Sequence, residues 1–301
     1  MTFLPPMPNT FVIGALGADS QALGAALAAH PEVFCPEIAA PEFHSLDLPC
    51  LSAATGVNDD DAYLDLFADA APHHRVVLDA SPSYLASSIA VERTEAATAR
   101  EARYVVVVRD PADLVAAHHA TLVAAGFDDV DDLERAWQLE ADRLAGRVSL
   151  PGGCAQPELL AYRSLATLGE QIERLLARVP HGRVFVVDHD ELVDRPQALL
   201  TELVAWLGLS PADLRIGALA DTPSDGATES FKAVIRHELR RDVDYLALLT
   251  GLDLSAWQRR PSTELIIDLR DPVGTGGATG PDDGSSPDGR HRPLRRRPDG
   301  R

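Results

Sequence analysis

A phosphate site needs cations, backbone amides at a helix start and hydroxyl donors, and this sequence places a few such groups at telling positions. Gly14-Ala-Leu-Gly-Ala-Asp-Ser20 follows an apolar run and precedes an amphipathic stretch ended by Pro31. Gly14 and Ser20 are the cradle candidates there; Ser20 is either a phosphate ligand or a plain first-turn residue, because Asp19 competes for the cap role. Arg109, at the end of another apolar run, is either a phosphate anchor or the partner of Asp110 or Asp113 at a helix start. Glu42 and His44 form either a proton-transfer pair or two polar loop residues. His118 and His119 point about 100° apart on a helix and do not chelate one metal; a partly exposed pair is expected. His73 and His74 read as surface. Lys232, the only lysine, is either a solvated helix residue or a group reaching the site. The runs Asp59-Asp-Asp61 and Asp128-Asp-Val-Asp-Asp132 read as helix starts favoured by the macrodipole, and neither has the glycine-containing pattern of a calcium loop. No metal site is expected.

Four apolar runs must position these groups: Thr10–Ala15, Arg75–Asp79, Tyr104–Val108 and Arg183–Asp188. Continuous β-branched runs of this length fit strands buried on both faces, hence a parallel sheet. Ser81-Pro82, Asp110-Pro111 and Asp194-Arg-Pro196 put proline just inside a helix start. Further helices are expected over 128–146, 157–179 and 228–250. The fold class is α/β, a three-layer, mostly parallel sheet with helices on both faces. In open sheets of this kind ligands sit at the carboxyl ends of the strands. That rule gathers 14–20, 79–83, 109–113 and 188–190 around one crevice.

The chain has 301 residues, and its 46 acidic against 27 basic side chains leave a net charge of −19. Such a field repels phosphate backbones, so no nucleic acid partner is expected. Cys35, Cys50 and Cys154 are far apart and form neither a disulfide framework nor a zinc site. No apolar run reaches membrane-spanning length and Met1–Thr10 lacks a basic leader, which gives the expectation of a cytoplasmic protein with no membrane partner. The domain is expected to span 1–270. Residues 271–301, rich in Gly, Pro, Asp and Arg, read as a disordered tail ending in a basic cluster. That cluster is either a solvated end or a latch onto the acidic body.

In this order, the blocks resemble the sulfotransferase family that uses 3′-phosphoadenosine 5′-phosphosulfate (PAPS), particularly its heparan-sulfate-type and bacterial members. Phe11–Ala15 through His30-Pro31-Glu-Val-Phe34 is similar to the first strand, phosphosulfate loop and following helix. Pro41–Ser45 resembles a Glu-Pro-His-Phe-Phe-like segment and Leu78–Leu85 a Glu-Lys-Thr-Pro-x-Tyr block. Val108-Arg-Asp-Pro111 resembles the turn that binds the nucleotide 3′-phosphate. Val184–Pro196 with Leu207-Gly-Leu209 is the closest block, and Leu249–Trp257 matches the ending. The resemblance implies a P-loop-like sulfotransferase fold, PAPS as cosubstrate, and a small-molecule or glycan hydroxyl or amine acceptor. It implies Gly14, Ser20 and Arg109 as cofactor-binding residues, and Glu42 or His44 as the base.

The motif residues themselves depart from the family. Leu16-Gly-Ala-Asp-Ser-Gln21 stands where the family has Pro-Lys-Ser-Gly-Thr-Thr, so Gly17 replaces the lysine and Asp19 the glycine. Ala40, Ala80 and Ala117 stand at the positions of a base, a lysine and a serine, and Asp225-Gly226 at a late Lys-Gly loop, with Ala227 beside it. Three lost charge-assisted contacts at about 1.5–3 kcal/mol each amount to roughly a thousand-fold or more in affinity. Three readings follow. One is a transferase with weak or altered activity. Another is a non-catalytic, sulfotransferase-like binding or scaffold protein with a protein partner, which the residues alone favour. The third is a P-loop phosphotransferase, against which the missing Gly-Lys-Ser/Thr counts.

Overall fold

A computed structural model describes residues 7–152, 154, 156–217, 219 and 227–259. The tail 271–301 and the Asp225-Gly226 position lie outside the described residues. The first half builds β1 (Thr10–Gly14), α1 (Ser20–Ala28), β2 (Val33–Phe34), α2 (Pro49–Thr55), α3 (Asp60–Asp65), β3 (Val76–Asp79), α4 (Ala90–Ala97) and β4 (Arg103–Val108). From there the chain forms α5 (Pro111–Ala124), α6 (Leu133–Leu144), α7 (Tyr162–Ala166), α8 (Leu168–Leu176) and β5 (Val184–Asp188). It ends with α9 (His189–Asp194), α10 (Pro196–Leu207), α11 (Glu229–Glu238), α12 (Arg240–Thr250) and α13 (Ser255–Arg259).

The four expected runs are strands, joined by the two-residue β2, in the order β2-β3-β1-β4-β5. Every pairing is parallel, with Phe11 opposite Tyr104 and Tyr104 opposite Val184. The central strands β1, β3 and β4 are almost wholly buried, as valine-rich runs without alternation require. From β1 the chain first steps toward the β2 edge, and later crossovers step the other way. Right-handed crossovers then put α1 on one face and α4 and α5 on the other. His30 Nε2 meets the Ser210 carbonyl at 2.8 Å, which brings the end of α10 beside the end of α1. The direction of winding reverses between β1 and β4, so the loop after β1 and the end of β4 flank the switch point.

Three long helices expected from the sequence are shorter or broken. The helix expected from Asp128 begins at Leu133, with Asp132 capping Arg135 N–H at 2.7 Å. Residues 157–179 hold a 3₁₀ turn, then α7 and α8, with non-helical backbone at Ala161 and Thr167. Each new helix start is satisfied from outside its own segment. The Glu140 carboxylate accepts from the Arg163 and Ser164 amides, and Asp242 accepts from those of Gly169 and Glu170. The 228–250 helix breaks at Leu239 into α11 and α12. No described helix is long and apolar enough to cross a membrane.

Candidate functional site

Two close approaches fix the loop that joins β1 to α1. A Cβ on Gly14 would come within 2.8 Å of the Val107 carbonyl, so only glycine lets β1 lie this close to β4 here. Gly17 has φ +98° and presses on α5, where a Cβ would meet Leu114 O at 3.0 Å and Ala117 Cβ at 3.2 Å. The space a longer side chain at either position would need is filled by the chain itself.

Asp19, next in the loop, adopts a left-handed conformation with φ 55°. It stands at the N-cap of α1 but makes no side-chain cap bond. Its carboxylate turns instead to two basic side chains. His189 Nε2, on the first residue of α9, is 2.9 Å from Asp19 Oδ2, and Arg109 Nη1, just past β4, is 3.6 Å from the same oxygen. Arg109 also donates to the Gly17 carbonyl at 2.8 Å, tying it to the loop. The three side chains are at most 15% exposed. A carboxyl group therefore does sit among the basic groups at the strand tips, and it is a side chain of this protein.

The crevice is neutralised rather than stripped of positive charge. Lys232, expected on a solvated face, is buried on α11 with Nζ 3.1 Å from Asp113. Arg236, one turn on, donates through Nε to Asp110 at 2.9 Å. The Asp110 carboxyl, pushed up by burial, also caps α5 by accepting from the Ala112 amide. His118 and His119 are likewise buried, contrary to the partly exposed pair expected. Their Nε2 atoms meet the Leu159 and Val130 carbonyls at 2.9 and 2.7 Å, and burial holds His118 down to about 4.

Beside the loop lies a cavity of about 470 Å³. Leu16, Leu51, Leu122, Phe127 and Leu159 give it apolar walls, and Asp19, Ser20, Glu42, His118 and Thr121 bring polar groups. Gly14 lies behind it in the sheet, and Arg109 is reached through Asp19. Glu42 and His44, two residues apart, have separate surroundings. Glu42, with φ 55°, is buried beside Ser83, and desolvation pushes its carboxyl up to about 8. His44 is enclosed by the rings of Phe11, Phe43, Tyr63 and Tyr84, with neither ring nitrogen hydrogen-bonded. Burial holds it down to about 3. Behind Glu42, the Asp79 carboxylate at the end of β3 accepts from Ser81, Tyr63 and Tyr84 hydroxyls at 2.6, 2.8 and 3.0 Å. Those bonds oppose its burial, and it is raised only to about 6. A larger cavity of about 720 Å³ is lined mainly from α7, α8 and the loops near them, and shares no lining residue with this one.

Sequence reasoning passed over His189, Arg236 and the cavity-facing role of His118. His189 sits inside a block already assigned to the crevice, and the register of α9 was the available signal. No group of three or more potential metal-ligating side chains is present among the described residues.

A sulfotransferase family model matches residues 54–213, from α2 to just past α10. The match takes in β3, β4 with Arg109, and β5, and begins after the loop and Glu42. The crystal structure of a sulfotransferase from Alicyclobacillus acidocaldarius superposes with a TM-score of 0.71 at 23% identity, over 84% of this chain and 100% of that one. A sulfotransferase domain from the curacin biosynthetic pathway is 18% identical over 69% of this chain and 76% of its own, with a TM-score of 0.42. The sulfotransferase domain of the Synechococcus PCC 7002 olefin synthase is 16% identical over 84% and 98%, with a TM-score of 0.43. No curated protein sequence matches the chain.

Proposed function

This chain belongs to the sulfotransferase family, and from that premise we propose that it is a non-catalytic member, a binding protein that keeps the acceptor-side cavity and has closed the donor site with its own carboxylate. One observation carries the reading: Asp19 lies at the start of α1, clamped by His189 and Arg109. PAPS does not fit the residues present. A bound phosphosulfate would lie beside a carboxylate that is already paired. Two unit charges 4 Å apart at an effective dielectric near 20 repel by about 4 kcal/mol, close to a thousand-fold in affinity. Lys232 and Arg236, the nearby groups able to offset this, are held by Asp113 and Asp110.

Glu42 favours a second reading, a transferase of altered donor use. A carboxyl raised to about 8, lining the cavity next to the loop, is placed as a general base for an acceptor hydroxyl. On that reading turnover rises with pH through about 8, as the carboxyl ionises.

Thermal unfolding with the desulfated nucleotide, 3′-phosphoadenosine 5′-phosphate (PAP), separates the two. Occupancy at 100 times Kd adds about 2.7 kcal/mol of stability. The wild type is expected to show no shift at 1 mM PAP. Asp19→Gly removes the carboxylate at a left-handed position that glycine accepts, and is expected to bind PAP at least tenfold better than the wild type. A clear wild-type shift, together with sulfuryl transfer from PAPS to any acceptor, would overturn the non-catalytic reading.

A further inference from the structure

The larger cavity, of about 720 Å³, shares no lining residue with the one beside the β1–α1 loop, and most of its polar lining is already engaged. Asp47 accepts from the Ser87 hydroxyl and from the amide and hydroxyl of Ser88. Ser164 Oγ donates to Glu140, and Thr167 Oγ1 donates to the Ser164 carbonyl. Arg163 lies over the Trp137 ring and pairs with Glu238 at 3.0 Å. Gln171 is 3% exposed; its Nε2 donates to the Ser164 and Leu165 carbonyls, and its Oε1 is sealed within the wall. What remains is one cation and two carboxylates.

The cation is Arg174, half-buried on α8. Its Nη2 donates to the Leu85 and Ala86 carbonyls, both at 3.2 Å, which leaves Nε–H and the two Nη1 hydrogens without a partner among the described residues. Glu170 precedes it by four residues, the order in which a carboxylate and a guanidinium pair well on a helix, yet no ion pair joins the two among the described residues. The guanidinium is drawn across to the loop before α4 instead. Burial lowers its basicity; Glu170 and Asp47 oppose that fall and Arg178 adds to it. The two carboxylates are Glu170 itself and Glu158, both exposed and neither bonded through its side chain among the described residues. Leu48, Ala86, Leu144, Ala161 and Leu165 supply apolar wall, and Leu144 is left 46% exposed.

We propose that this cavity binds an α-amino acid with a large apolar side chain, its carboxylate on Arg174, its ammonium on Glu170 and its side chain against the leucines. Charge decides the class. A lone anion meets Arg174 but also Glu170, Glu158 and Asp47, and a lone cation meets the half-buried guanidinium. An α-amino acid carries both charges on one carbon, which suits two side chains about one helical turn apart. The head group fills a minor part of the cavity, and the apolar wall is left for the side chain. This site lies apart from the donor loop and the cavity beside it, so the inference goes beyond the proposed function and does not depend on it.

Isothermal titration of the full chain at neutral pH with L-phenylalanine, phenethylamine and 3-phenylpropionate tests it, because the three share a ring and differ in which charges they carry. Phenylalanine is expected to bind at least about tenfold more tightly than either of the others. Arg174→Gln is expected to bring phenylalanine down to the level of phenethylamine without weakening phenethylamine itself, which serves as that variant's folding control. Glu170→Gln, at an exposed position, keeps the test open if Arg174→Gln does not fold. It is expected to weaken phenylalanine about tenfold and leave 3-phenylpropionate no weaker. No saturable heat with phenylalanine up to about 10 mM, 3-phenylpropionate binding as tightly as phenylalanine, or unchanged phenylalanine affinity in Glu170→Gln would each overturn the proposal. PAP binding by the wild type would count against the closed donor site alone, so the two readings fail separately.

Discussion

At the scale of single residues, Asp19 and His44 show two ways in which a polar group is spent away from its expected use. Asp19 leaves the α1 cap unmade and gives its carboxylate to His189 and Arg109. The His44 imidazole gives up hydrogen bonding, with two orphaned ring nitrogens among four aromatic rings. An unmet buried polar group costs about 1–3 kcal/mol, so His44→Phe, which keeps a ring there, is expected to stabilise the fold by about 1–2 kcal/mol in urea unfolding. A loss of stability would mean that the imidazole has a partner in solution. Gly17→Lys, which puts a cation into the loop, is expected to destabilise the protein and gain no PAP binding, because φ +98° and contact with α5 leave no room. Melting curves with and without PAP check both parts. A carboxylate in the loop at Asp19 was visible in the residue types, since a carboxylate in an anion cradle is an electrostatic contradiction in any fold. The destination of that carboxylate was not, because it depends on the α9 register that brings His189 across 170 residues.

Among the elements, the sheet was readable because four valine- and isoleucine-rich runs have only one use in a chain this size, the interior of a parallel sheet. Long helices were misjudged for a reason tied to particular side chains. Glu140 and Asp242 receive the first amides of α7 and α8, so the chain can break a continuous apolar pattern at Ala161 and Thr167 without orphaned donors. No local pattern announces a cap supplied from 23 or 73 residues away. The acidic run at 128–132 divides in the same fashion: Asp132 caps α6, whereas Asp128 is buried in a bidentate pair with Arg143, at 2.6 and 2.9 Å, and accepts from Tyr162 at 2.6 Å. This joint ties the loop after α5 to α6 and α7. Removing one partner of such a pair leaves an uncompensated buried charge, so Arg143→Met is expected to cost about 3–5 kcal/mol in denaturant unfolding. A cost under 1 kcal/mol would show that the joint is hydrated and weak.

For the molecule as a whole, two buried carboxyls set how stability responds to pH. Glu42 is raised from the usual carboxylate range to about 8, and Asp79 to about 6, chiefly by burial. Each binds its proton more tightly folded than unfolded, so each contribution is complete below the unfolded values near pH 4 and declines as pH rises through the folded ones. Stability is therefore expected to fall between about pH 4.5 and 8. Glu42→Gln, which cannot ionise, is expected to exceed the wild type by a few kcal/mol at pH 9 and to match it near pH 4.5. Parallel melting curves at the two values would contradict so raised a Glu42 carboxyl. The broader account, a family fold whose donor seat is filled from within, stands or falls on a calorimetric titration of the wild-type protein with PAP at low ionic strength, where any attraction is strongest. No saturable heat up to millimolar nucleotide is the predicted result; a one-to-one isotherm with a micromolar Kd would contradict it.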